Sequence, residues 1–126
     1  MLLVINSMQI YAQDKFKGNF TNDELKIKLA LNLYNDDIPV PGLELDSCYG
    51  YLQGSLNGVW IILKVTSVDS DKAEVRAVSE RGGDAQDLIL SLSDGKIVVK
   101  QIQSTNIKGI KGRKYVKLPR EILFEK

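Results

Sequence analysis

Histidine is absent from the 126 residues, and cysteine occurs once, at Cys48. These two shortages remove most familiar chemistries together. Zinc sites of the Cys/His type, haem and iron–sulfur ligation, Ser-His-Asp triads and Cys-His dyads all need side chains that the chain lacks. Carboxylates, Lys, Tyr, Ser and Thr are left for catalysis, and carboxylates alone for a calcium or magnesium ion. That inventory argues against an enzyme, and no metal or cofactor is expected. Cys48 has no partner for an internal disulfide; it reads as a buried thiol or, in an exported protein, as one half of an intermolecular bond. Charge imbalance is missing as well. Seventeen basic and 16 acidic residues give a formal net charge of +1, too little for a global field that would gather nucleic acid or an anionic membrane. Recognition must then be local. No stretch reaches the roughly 20 apolar residues of a membrane-spanning helix.

What is present describes one folded domain. Hydrophobic residues make up 44% and charged residues 26%, close to the average for globular chains. The length suits a single core. Residues 1–13, MLLVINSMQIYAQ, carry no charge and open on the apolar run Leu2-Leu3-Val4-Ile5. With Ala12 at a cleavage-like position, the segment reads as the back half of a secretory signal peptide, and the expectation is export to the periplasm or cell exterior. The alternative is an N-terminal strand or a loose tail. A single β domain is expected over residues 14–126.

Period-two alternation dominates that domain. Leu25, Ile27, Leu29, Leu31 and Leu33 fall on one face of a half-buried strand. Ile38-Pro39-Val40-Pro41-Gly42 reads as an extended connection, because each proline restrains its predecessor. Tyr49–Ser55 and Val59–Val68 form strands joined at Asn57-Gly58, a strong hairpin signal. In the second of them, Val59, Ile61, Leu63 and Val65 are expected in the core, with Trp60, Ile62, Lys64 and Thr66 on the other face. Ala73, Val75 and Ala77 alternate inward along the next strand. Residues 86–93 are read as strand in preference to a capped helix, because Asp94-Gly95 then turns directly into 96–103. Residues 104–114 show little periodicity and read as an exposed loop before Tyr115–Leu118 and Ile122–Phe124 return to strand, with Pro119 at an edge or bulge. The fold expected is all-β: an antiparallel meander of about seven strands, forming a small barrel or a sandwich.

Three constellations could carry function. Tyr49, Tyr51 and Trp60 are placed by the Asn57-Gly58 hairpin as a cross-strand aromatic cluster; exposed, it suits a protein or sugar, and covered, it is core. Lys108, Lys111, Arg113, Lys114, Lys117 and Arg120 crowd a glycine-containing stretch that could hold a phosphate, a lipid headgroup, another polyanion or a protein, or else serve as a solvated edge. Missing aromatic interleaving argues against nucleic acid. Asp36, Asp37, Glu44 and Asp46 lack the spacing of an ordered calcium loop and read as turn chemistry. The expectation is therefore a non-enzymatic, inhibitor-, immunity- or adaptor-like protein that recognises another protein through Tyr49, Tyr51 and Trp60 or through Lys111, Arg113 and Lys114. The alternative is a barrel that carries a small apolar ligand. A hydrolase built on paired carboxylates comes third.

Overall fold

The computed structural model describes residues 15–126, apart from the side chains of residues 43–45. The expected signal segment, 1–13, lies outside the described residues. The chain forms β1 (Lys17–Asn22), β2 (Ile27–Asn32), β3 (Ile38–Val40), β4 (Leu43–Cys48), β5 (Gly50–Gly54) and β6 (Trp60–Val68). It continues through β7 (Lys72–Ser79), β8 (Ala85–Ser93), β9 (Lys96–Ile102), β10 (Gly109–Lys111), β11 (Lys114–Val116) and β12 (Glu121–Phe124). Eight of these make one antiparallel sheet in the order β1-β2-β5-β6-β7-β8-β9-β12. Its two edges meet where Thr21 and Glu125 exchange backbone hydrogen bonds of 2.7 and 2.9 Å, so the meander is nearly closed into a barrel. Closure removes most of the unpaired edge that an open sheet would present.

Alternation places the core as expected along most strands. Ile27, Leu29 and Leu31 point inward from β2, Ala73, Val75 and Ala77 from β7, and Leu88 and Leu90 from β8; all are buried. Asp94 and Gly95 both take positive φ, 53° and 76°, as a two-residue primed turn requires, and Ser93 pairs with Lys96 across it. Residues 85–93 are strand throughout. An eight-stranded barrel has an interior just wide enough for side chains to fill or for one small ligand. Here side chains fill it: Trp60, Phe20, Phe124, Leu52 and their neighbours form one continuous cluster, with Phe16, Leu56, Ile107 and Leu118 closing its ends.

Three expectations are corrected. The faces of β6 are reversed at its start, because Trp60 and Ile62 are fully buried inside the barrel whereas Leu63 is 53% exposed. Two causes combine. Leu52, not a residue nearer the turn, pairs with Trp60, so 53–59 is a wide connection in place of a two-residue hairpin. The β6–β7 register then slips between Ile62 and Lys64 and again between Val65 and Ser67. Each bulge adds one residue and inverts the alternation beyond it. Second, residues 38–48 are not a bare connection: β3 and β4 pair and lie over the outside of the barrel. There Val40 and Cys48 pack with Ile61, Tyr51 and Val78 into a second, smaller core. The Cys48 thiol is 1% exposed and donates towards the carbonyls of Gly50, 3.2 Å, and Ile38, 3.4 Å. Burial pushes its pKa up, partly offset by the Gly50 contact, which keeps it a thiol. Third, residues 104–114 are not an irregular loop, since they contain β10 and lead through a tight turn into β11.

Candidate binding site

The aromatic constellation does not assemble. Tyr51 pairs with Ile61 on the outer surface, while Trp60 pairs with Leu52 and faces the interior, so the two rings occupy opposite sides of the sheet. Trp60 is 0% exposed, and its indole nitrogen donates to Asn57 Oδ1 at 2.8 Å. It is an interior residue and offers no surface to a partner. Tyr49 is half-buried against the interior cluster, and Tyr51 is half-buried beneath β3 and β4. Of the acidic group, Asp37 is engaged locally, accepting from Asn32 Nδ2 at 2.9 Å.

The basic constellation is built differently. Between β9 and β12 the chain leaves the sheet for residues 103–120, which lie at the end of the barrel that also carries the 23–26, 55–59 and 80–84 connections. Those 18 residues contain Lys108, Lys111, Arg113, Lys114, Lys117 and Arg120 and no carboxylate. All six cations are exposed. Neither ion pair found among the described residues, Arg76–Asp87 and Lys96–Glu125, uses any of them. Among the described residues, Arg120 alone of the six makes a side-chain hydrogen bond, donating to the Gln101 carbonyl at 3.1 Å.

Why this stretch forms a hairpin follows from its turn and its anchors. Lys111 and Lys114 pair across Gly112-Arg113, and Gly112 sits at φ 65°, the left-handed conformation that the first position of a type II′ turn demands. On its other side β10 is stitched to the β5–β6 connection: Ile110 N donates to Ser55 O at 3.0 Å and Asn57 N to Lys108 O at 2.9 Å. Gly109 lies so close to Leu118 and Val116 that an added Cβ would stand 3.0–3.1 Å from their side chains. A bulkier residue there would require the Val116 and Leu118 side chains to give way by a few tenths of an ångström.

Four amide side chains complete the attachment. Gln86 donates to the carbonyls of Ile102 and Ser104, at 3.1 and 2.9 Å, and accepts from Asn106 N at 2.7 Å. Gln101 both donates to and accepts from the Ile107 backbone, at 3.2 and 3.0 Å. Asn57 Oδ1 takes Lys108 N at 3.2 Å besides Trp60, and Asn106 Nδ2 donates to Ala85 O at 2.8 Å. Gln86 and Gln101 are 1% and 2% exposed, so each substitutes for a strand partner at a place where the chain has left the sheet. Sequence reasoning missed these anchors. Their signal was a glutamine in the inward phase of an apolar alternation, Gln86-Leu88-Leu90 and Ile97-Val99-Gln101.

The result is a firmly attached, cationic hairpin with an apolar ridge. Tyr115 is 59% exposed and lies across from the half-buried Ile110, and its hydroxyl is 3.4 Å from Arg81 Nη1. Comparison with protein families, with curated proteins and with solved structures found no match.

Proposed function

We propose that the protein is a binding module that recognises another protein, and that the β10–β11 hairpin is the element that does so. The observation carrying this reading is the concentration of six exposed cations within residues 103–120, a stretch that itself contains no carboxylate and whose β10–β11 hairpin buried glutamines hold in position. Opposite charge on a partner raises the encounter rate and fixes orientation, and a hairpin already ordered loses little entropy on binding. Exposed Tyr115, whose hydroxyl is 3.4 Å from Arg81 Nη1, is the kind of anchor at which binding energy concentrates. The carrier alternative needs an empty interior, and Trp60, Phe20 and Phe124 occupy it.

Photo-crosslinking tests the proposal. A benzophenone amino acid placed at position 115, in cells or secretions that contain the protein, is expected to trap a discrete protein species. The same group at position 28, on the outer wall of β2, is expected to trap none. Equal yields from the two positions, or no protein trapped from position 115, would overturn the reading.

A further inference from the structure

Among the described residues, β11 has a strand neighbour on one side only. Its pairing pattern shows what the free side offers. Ile110 N donates away from β11, to Ser55 O, and in an antiparallel pair the N–H and C=O of one residue point to the same side. Ile110 and its partner Tyr115 are therefore a non-hydrogen-bonded pair, flanked by the bonded pairs Gly109–Val116 and Lys111–Lys114. It follows that the Tyr115 N–H and C=O both point out along the open edge.

We propose, building on the reading above, that this edge accepts an extended acidic segment of the partner as an added β-strand. A donor and an acceptor side by side on one residue are complemented together by another peptide backbone. A phosphate or a lipid headgroup supplies acceptors alone, which is why a protein segment is preferred to a polyanion. The charge selects among peptides. Arg113, Lys114 and Lys117 border the edge and are exposed, so an incoming strand bearing Glu or Asp at alternate positions meets opposite charge. A second copy of the same edge would meet cation against cation. Lysine on an open edge is a common defence against indiscriminate pairing, and here it leaves acidic strands as the admitted class. Pro119 and the turn at Gly112 bound the edge, so the added strand is short and its backbone bonds centre on Tyr115.

The test uses the whole protein, isotope-labelled, and a peptide of alternating Glu and Val. At low ionic strength the peptide is expected to bind saturably, to weaken as salt rises, and to protect the Tyr115 amide from hydrogen exchange by about tenfold or more. N-methylation of the peptide's central amides is expected to weaken binding by about tenfold, the equivalent of one or two hydrogen bonds. Equal binding of the methylated peptide, or binding without protection of Tyr115, would show that charge alone acts and would overturn the proposal. So would a protein that dimerises through β11 in sedimentation. If the peptide fails to bind while position 115 still crosslinks a protein, strand addition is wrong and the hairpin reading stands; loss of both removes the two together.

Discussion

Along β6, Trp60 and Ile62 are closed off from water, whereas along β11 Lys114, Tyr115 and Val116 are all exposed. Both stretches are strand, yet they are held by different forces. The barrel wall is bonded to neighbours on both sides and its inward face is apolar, so burial and backbone pairing reinforce one another. The hairpin buries little of its own and depends on Gln86, Gln101, Asn57 and Asn106, whose amides replace the missing strand partners. The difference teaches that the hairpin, the proposed binding element, can be altered or loosened without rebuilding the core that carries it.

Variants on the two sides of this comparison should differ in size and in reach. Trp60→Ala removes a fully buried indole and leaves a cavity; a loss of about 3–5 kcal/mol is expected, read as a cooperative fall in denaturant midpoint for the whole molecule. A small change at Trp60 would mean that the interior is not packed around it. Gln101→Leu keeps most of the volume but strands the Ile107 N–H and C=O, at a cost of about 1–3 kcal/mol. Its amide exchange should rise across residues 104–118 far more than across β6–β8, and a uniform rise would erase the distinction between the two regions. Leu63→Asp is expected to change stability by no more than about 0.5 kcal/mol, because Leu63 follows the inward Ile62 on the outer face and is exposed. A loss of core magnitude there would return Leu63 to the interior.

Those same residues show how much the sequence disclosed. Period two found the interior of β2, β7 and β8, and Asp94-Gly95 found its turn, because these signals are local and nothing in the fold interrupts them. The faces at the start of β6 were illegible because they are set by the pairing of Leu52 with Trp60, which Asn57-Gly58 does not announce, and the bulges farther along are set by pairing with β7. β1, reading Lys-Gly-Asn-Phe-Thr-Asn, escaped because it needs only Phe20 inward and borrows the rest of its order from β2 and the seam with Glu125. In the site, the six cations were visible as composition, while Trp60 was assigned to the wrong side together with Ile61, Ile62 and Leu63, and Lys64, Val65 and Thr66 were assigned correctly. The hairpin's rigidity was hidden in contacts between residues far apart in sequence, such as Asn57 with Lys108, 51 positions away.

The smallest expected effect lies on the wall. Asp87 is held below the ordinary carboxylate range, first by its hydrogen bond from Arg76, with the charges of Arg76 and Lys64 adding and desolvation opposing. A depressed folded value means that the pair's stabilisation is present above about pH 4 and is lost as pH falls further. Asp87→Asn should therefore lower stability slightly at neutral pH and flatten its decline in acid. The pair is exposed, so salt should shrink the difference.

The central claim is that fold and binding reside in separable parts of the chain. Lys111→Glu, Arg113→Glu and Lys114→Glu combined in one protein test it most directly, with melting temperature and crosslinking from position 115 measured together. The account predicts an unchanged melting temperature, within about 2 °C, with the crosslinked partner lost. A partner still trapped at full yield, or melting temperature and crosslinking falling together, would contradict it.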